Sequence, residues 1–362
     1  MTCSSCNPGP GAVVAVAMSG GVDSTVTAAL MKEVGYRVRG VFMSLAQPDR
    51  EVQAARARAM AERLGIPFEV IDLSDEFDRL VLSYFRDGYS RGITPNPCVV
   101  CNRTIKFGLL LDRVLAGGAD YLATGHYVRK VLAPSGGFRL SPGCDPNKDQ
   151  SYFLCLLNQD QLARVIFPLG EKVKAEVYDL AAGLGLRYAR SEESQDVCFL
   201  KGQDLATYLG GVGLSGQPGG IVTLVGREVG RHQGISHFTI GQRRGLGIPD
   251  VTPWYVVAID PGTNQVVVGK DNDLFRAGLI IKPMSWAGGE LPDLGASFTV
   301  KIRYRHRAVP AQLKLGHHQE IIIQFSEPQR AITPGQFAAV YQGDLLLGGG
   351  PIQLVPAGSS TS

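Results

Sequence analysis

Ala12-Val13-Val14-Ala15-Val16-Ala17-Met18-Ser19-Gly20-Gly21-Val22-Asp23-Ser24-Thr25-Val26-Thr27-Ala28-Ala29-Leu30 decides how this chain folds. The small apolar run Ala12 to Ala17 reads as a strand buried on both faces. A helical pattern follows from Thr25 to Val34 and stops at Gly35. Between them lies Ser19-Gly20-Gly21-Val22-Asp23-Ser24. Two glycines let the backbone bend and bring its N–H groups against an anion. Ser19 and Ser24 add hydroxyls, and the helix N-terminus adds its partial positive charge. The loop holds no lysine, so it is not the GxxxxGK[ST] type. A bare Gly-Gly turn with an Asp or Ser cap would explain the glycines alone. The full hexapeptide at a strand-to-helix junction favours a nucleotide, with Asp23 as a Mg²⁺ ligand or a helix cap.

Outward from this loop, strands and helices alternate. Arg37 to Met43 is a strand, Glu51 to Leu64 a helix stopped by Gly65-Ile66-Pro67, and Phe68 to Leu73 a third strand. Phe77, Leu80, Val81 and Tyr84 mark a helix face, Ile105 to Leu115 another helix, and Tyr121 to Thr124 a short strand. Such alternation implies a parallel sheet covered on both sides. After about residue 200, Gly and Pro multiply. Trp254 to Ile259 and Gln265 to Val268 read as strands about the turn Asp260-Pro261-Gly262, followed by Phe298 to Arg305, Gln319 to Phe325 and Phe337 to Tyr341. The expected architecture is α/β: a nucleotide-binding parallel-sheet domain over 1–205, a small middle domain over 206–272, and a C-terminal β-barrel over 273–358. The tail beyond Pro356 is expected to fray.

Composition agrees with this. At 362 residues the chain is too long for one ordinary domain, and 44% hydrophobic with 19% charged residues excludes a disordered chain. No apolar run approaches the roughly 18 residues of a membrane helix, and Met1 to Gly11 lacks the pattern of a signal peptide. A cytoplasmic protein without a membrane partner is expected. The net charge of +3 is too small to argue for nucleic acid by itself. Local groups are more telling. Lys301, Arg303 and Arg305 would share a strand face beside Tyr304, with His306 and Arg307 beyond, and Arg231, Arg243 and Arg244 form a second group. Either group alone reads as a solvated charged face, and together, with Tyr304, they suit RNA phosphates.

Seven cysteines are present: Cys3, Cys6, Cys98, Cys101, Cys144, Cys155 and Cys198. An odd number without an export signal argues against a disulfide framework. Cys155 reads as a core residue, and Cys144, Cys3 and Cys6 carry no strong signal. A structural zinc would want four ligands, whereas Asn96-Pro97-Cys98-Val99-Val100-Cys101 supplies one C-x-x-C. Cys101 is expected near a helix N-terminus, where a thiol pKa falls. Cys101 and Cys198, if they meet, can pass sulfur through persulfide and disulfide steps.

The loop resembles that of the ATP pyrophosphatases, which transfer AMP to an oxygen and release pyrophosphate. The ordered blocks SGGVDS, TPNPCVVCNRTIKF, ATGHY, KDQSYFL, SQDVCF, HFTIGQRRGLGI, KIRYR and TPGQFAAVY resemble the tRNA-specific 2-thiouridylase family from Val13 to about Pro356. That resemblance implies ATP with Mg²⁺ on Ala17, Met18, Ser19, Gly20, Gly21, Val22, Asp23 and Ser24, bordered by Met43 and Gly125. It implies Cys101 as nucleophile, Cys198 as persulfide carrier, and the target base at Asn96, Pro97 and Cys98. His126, Lys148, Asp149, Gln150, Arg303, Tyr304 and Gln336 would contact tRNA, and a sulfur-donor protein would load Cys198. Many members of the family carry Asp at the position of Cys98. The cysteine here completes a set of three thiols, which in some related thiolases holds a four-iron, four-sulfur cluster. The rival readings are an ATP pyrophosphatase using a nitrogen nucleophile, which would need neither the cysteine pair nor the Arg-Tyr strand, and a non-enzymatic RNA-binding protein.

Overall fold

A computed structural model describes residues 9–133, 136–186, 197–200, 202–214, 216–249 and 251–353. Cys3, Cys6, the Ser194-Gln195-Asp196 part of the Cys198 block and the tail beyond Pro356 lie outside the described residues. The opening strand is β1 (Val13–Ala17), followed by β2 (Arg37–Ser44), β3 (Phe68–Asp72) and β4 (Tyr121–Ala123). A hairpin of β5 (Val128–Leu132) and β6 (Phe138–Pro142) comes next, then β7 (Val165–Ile166). Strands β3-β2-β1-β4-β7 form one parallel sheet in that order.

The apolar run of β1 is buried because both faces of the sheet are covered. Val14 and Val16 pack with Ala28 and Met31 of α1 (Val22–Glu33) and with Ala57 and Ala61 of α2 (Arg50–Leu64). Ala15, pointing the other way, joins a second core with Val81, Leu110 and Val114. Strand order grows outward from β1 on one side and from β4 on the other. The loops after β1 and β4 therefore face each other at the reversal point, where α/β sheets open a crevice at the carboxyl ends of their strands.

The middle domain is a four-stranded sheet of β8 (Gly219–Thr223), β9 (Glu228–His232), β10 (Tyr255–Asp260) and β11 (Gln265–Gly269), ordered β10-β11-β8-β9. The last part holds β12 (Phe275–Ile281), β13 (Ser285–Trp286), β14 (Phe298–Lys301), β15 (Val309–Leu315), β16 (Ile321–Arg330), β17 (Phe337–Gln342) and β18 (Leu345–Gln353). The order β12-β16-β15-β14-β17-β18 closes into a barrel because β12 also pairs with β18. Its interior is filled by alternate residues: Phe298 and Val300 of β14, and Ile321, Ile323 and Phe325 of β16.

Two details depart from the sequence-based expectation. The strand expected to run from Phe298 to Arg305 ends at Lys301, where its pairing with Ala339 of β17 ends, so Arg303 and Arg305 sit in the turn beyond it. The hairpin β5–β6 of the first domain joins the barrel sheet, since Leu140 pairs with Leu346 of β18. Tyr152 seals this junction. It is fully buried, donates to the Phe337 carbonyl at 3.1 Å and accepts from the Phe337 N–H at 3.3 Å.

Candidate active site

The nucleotide loop is held by its own serine. Ser24 Oγ accepts from the Ser19 N–H at 3.1 Å and donates to the Gly21 carbonyl at 3.0 Å. Gly20 has φ +78, and a Cβ there would lie 2.9 Å from Arg56 Cβ of α2, so only glycine lets α2 and the loop approach this closely. Gly21 is the N-cap of α1 and makes no side-chain cap, and Asp23 stands inside the first turn. Asp23 therefore does not cap the helix. Its carboxylate accepts from Tyr127 Oη at 2.6 Å, and Lys174 Nζ lies 2.8 Å from both oxygens. An exposed carboxylate edge at a phosphate loop fits a Mg²⁺ ligand, and this one is a third exposed.

Other expected nucleotide residues lie around the loop. Val22 is buried in the core between α1 and the later helix α4 (Lys174–Gly183), whose start is Lys174. Ala17 ends β1. Met18 is 2% exposed, its side chain belongs to the core, and its N–H donates to the Val41 carbonyl of β2. Met43, near the carboxyl end of β2, is half-buried. Gly125 follows β4, and a Cβ there would come within 3.1 Å of Asp23 Cβ. The loops after β1 and β4 thus touch.

The thiols lie beside this crevice. Helix α3 (Pro97–Cys101) begins with Pro97 at its first position, and Asn96 caps it by accepting from the Val99 N–H at 3.3 Å. Asn96 Nδ2 also donates to Gln336 Oε1 at 3.3 Å, while Gln336 Nε2 donates to the Thr94 carbonyl at 3.1 Å. A barrel residue thereby buttresses the segment expected to meet the target base. Cys98 lies in the first turn of α3, Cys101 at its end, and the chain continues as π-helical turns over Asn102–Leu110. Such turns are rare and gather at functional sites. Cys198 opens a short turn and is exposed. The following Phe199 is buried against Phe77 and Phe85, which anchors it.

Cys98, Cys101 and Cys198 lie near enough for the charge of one to act on another. The expected fall in thiol pKa does not occur. Desolvation by the surrounding protein pushes Cys98 up to about 11 and Cys101 to about 12, and raises Cys198 as well, outweighing the helix terminus. The opposing influence on all three is Lys106, whose charge also disfavours protonation of His126. His126 is buried against Phe107 and Phe167, bonds Thr124 Oγ1 through Nδ1 at 2.7 Å, and is held well below its ordinary pKa by desolvation. Among the described residues, no three Cys, His, Asp or Glu side chains are grouped as a metal site would need.

Of the residues expected to contact tRNA, His126 is buried beside the crevice and Gln336 is engaged with Asn96 and Thr94, while the other five lie on the 148–150 segment and in the turn after β14. Asp149 is buried, accepts from the Gly143 and Ser151 N–H groups, and faces Lys301 Nζ at 3.6 Å. Gln150 accepts from the Tyr127 N–H at 3.1 Å, and its own N–H donates to the Tyr127 carbonyl. Lys148 precedes them, half-buried. Tyr304 packs on Phe153 with ring centres 4.5 Å apart, and Arg303 Nη1 donates to the Arg330 carbonyl at 3.4 Å. A surface groove of about 470 Å³ brings together Asp149, Lys301, Tyr304, Arg305, His306 and Arg307. Of the second basic group, Arg243 and Arg244 are exposed and Arg231 pairs with Glu228 at 3.6 Å. Sequence reading missed Lys106, Tyr127 and Lys174. Lys106 and Tyr127 lie within quoted blocks, whereas Lys174 lies in none and meets Asp23 only through folding.

Comparison with known proteins bears on identity. Residues 12–202 match the family model described as tRNA methyl transferase HUP domain, 211–270 the tRNA methyl transferase PRC-barrel domain, and 276–352 the aminomethyltransferase beta-barrel domain. The tRNA-specific 2-thiouridylase MnmA of Trichlorobacter lovleyi is 47% identical over 346 residues, 94% of this chain and 97% of the relative. That of Desulfotalea psychrophila is 44% identical over 342 residues, 94% and 98% of the two chains. The solved U34-tRNA thiolase NcsA from Methanococcus maripaludis, with its 4Fe-4S cluster, is 21% identical and covers 56% of this chain and 67% of its own. Its TM-score of 0.35 is too low to carry an argument. At this identity, spanning nearly the whole of both chains, the protein belongs to the tRNA-specific 2-thiouridylase family.

Proposed function

We propose that the protein uses ATP to replace the C2 oxygen of the tRNA wobble uridine with sulfur. The observation that carries this reading is the continuity of the site. Lys106 acts by its charge on the three thiols and on His126, the neighbouring Phe107 packs on His126 with ring centres 5.5 Å apart, and Gly125 beside His126 lies against Asp23 of the Ser19–Ser24 loop. The family-model descriptions speak of methyl transfer. A phosphate loop beside three thiols suits adenylation and sulfur transfer better, and the basic groove suits an RNA backbone.

In this reading ATP occupies the Ser19–Ser24 loop, with Asp23 the residue to hold Mg²⁺, which screens phosphate charge when bound. The uridine, splayed from the anticodon loop, lies by Asn96. Its C2 oxygen attacks the α-phosphate, and pyrophosphate leaves. A donor protein loads Cys198 as a persulfide. The terminal sulfur attacks C2, and AMP departs with the oxygen. Cys101 thiolate then attacks Cys198 Sγ, and the sulfur–sulfur bond breaks with its electron pair on the thiouridine sulfur. A Cys101–Cys198 disulfide remains, and a two-electron thiol reductant restores it. Lys106 supplies the positive charge that a thiolate needs in so dry a site. Substrate tRNA and ATP are met in the cytoplasm, where we expect the protein to act.

Pyrophosphate release measured with and without tRNA tests the first half, and tRNA dependence is expected. Thiolation by anaerobically prepared Cys98→Ser, Cys101→Ser and Cys198→Ser, with iron assayed on the same samples, tests the second. The relay expects Cys98→Ser to keep substantial activity and the other two to lose it. Activity that requires bound iron and vanishes in Cys98→Ser would replace the relay with a cluster mechanism.

A further inference from the structure

We propose that Lys174 is the phosphate-binding cation of the Ser19–Ser24 loop, held on Asp23 until a triphosphate arrives. This rests on the nucleotide reading above and assigns a residue that the loop itself lacks. The Ser19–Ser24 segment contains no basic side chain. Lys174 enters from a point 151 residues later in the chain and sits with Nζ 2.8 Å from each Asp23 oxygen.

Its position is built. Lys174 is the first residue of α4, its N–H donates to Asp145 Oδ2 at 3.0 Å, and Glu176 closes the helix start by accepting from the Val173 N–H at 2.8 Å. Helix α4 packs along α1 through Val177 and Ala181 against Val22 and Val26. The base of the lysine is therefore fixed relative to the amides of the loop. The ammonium lies near the rings of Tyr127 and Tyr178, 5.7 and 5.2 Å from their centres, and the side chain is only 12% exposed. An ammonium so far removed from water needs an anion. Asp23 provides one in the free protein, but a single carboxylate is a weaker attractor than a chain of phosphates.

Asp23 in turn would repel a triphosphate entering at the start of α1. With Lys174 between them the pair is neutral, and binding becomes an exchange. The flexible lysine stem turns its ammonium from the carboxylate to the β- and γ-phosphate oxygens, and the carboxylate is left to the accompanying Mg²⁺. The same charge then faces pyrophosphate as it departs.

The test is binding rather than turnover. Affinities for a non-hydrolysable ATP analogue, for inorganic pyrophosphate and for AMP are measured on the wild-type chain, Lys174→Met and Lys174→Arg. Lys174→Met is expected to lose roughly ten- to hundredfold for the analogue and for pyrophosphate, as for a lost charge-assisted contact, and to hold AMP within about twofold. Lys174→Arg should recover most of the loss. Unchanged analogue and pyrophosphate affinity in Lys174→Met would overturn the proposal, as would an equal loss for AMP, which would mark a structural role. If Lys174→Met does not fold, Asp23→Asn decides. Releasing the lysine should tighten Mg²⁺-free pyrophosphate binding, and an unchanged or weaker affinity overturns the proposal. A wild-type chain that bound none of the three would sink the nucleotide reading instead.

Discussion

Cys98, Cys101 and Cys198 share one electrostatic problem. In each, desolvation holds the thiol above its ordinary pKa and resists the thiolate. Lys106 is what the site offers against this. Replacing it with Met should push all three thiols further up. The checking measurement is the pH profile of iodoacetamide labelling, read by peptide mass. In Lys106→Met the labelling curves of Cys98 and Cys101 should move to higher pH, and at pH 8 both should label more slowly than in the wild type. Lys106→Arg should keep the wild-type curve, and a Met variant with an unmoved profile would deny Lys106 this role. Cys98 and Cys101 were legible from the sequence because C-x-x-C is a local pattern, and Cys198 through the SQDVCF block of the family resemblance. Their pKa direction was not, since desolvation depends on what packs around them. Lys174 was illegible for a related reason: no spacing rule connects it to Asp23.

At the scale of elements, the turn Pro334-Gly335-Gln336 carries more than its length suggests. It leads into β17, reaches the segment before α3, and holds Asn96 through Gln336. Gly335 has φ +87, and a Cβ there would lie 2.2 Å from Ile93 Cγ2 and 2.8 Å from the Thr94 carbonyl. Gly335→Ala therefore combines backbone strain with overpacking, which should cost about 2–4 kcal/mol of stability. Denaturant unfolding followed by tryptophan fluorescence would measure it, and a loss below about 0.5 kcal/mol would show that the joint yields freely. The strand–loop–helix at Val13–Glu33 could be read in advance because its elements are contiguous and each has its own periodicity. The end of β14 could not. Alternation continues through Ile302, which is buried, but the pairing partner runs out at Lys301, and periodicity reports faces rather than partners.

Across the whole molecule, the groove of Lys301, Arg305, His306 and Arg307 is a surface on which a long polyanion can lie. Both Arg305 and Arg307 are exposed. Arg305→Ala with Arg307→Ala should weaken tRNA binding and flatten the log–log dependence on salt by roughly one to two units, while binding of the ATP analogue stays unchanged. An unaltered slope would return these arginines to the ordinary solvated surface. The three-part plan was legible from changes in texture along the chain. The sharing of strands between the first part and the last was not, because hairpin β5–β6 carries no mark of a partner some two hundred residues away.

That shared sheet also sets an order of events during synthesis. Domains tend to form as they leave the ribosome, amino-terminal part first. Here the hairpin containing Leu140, and Tyr152 beyond it, are made early, whereas β17 and β18, which cover them, are among the last segments made. For most of translation the nascent chain carries an open sheet edge and an uncovered tyrosine pocket, both adhesive surfaces. The amino-terminal half can assemble its Ser19–Ser24 loop while it waits, but the support of Asn96 by Gln336 comes only when the carboxyl-terminal strands arrive. A truncated message would therefore yield a sticky fragment in which Asn96 lacks its support from Gln336, rather than a smaller working enzyme.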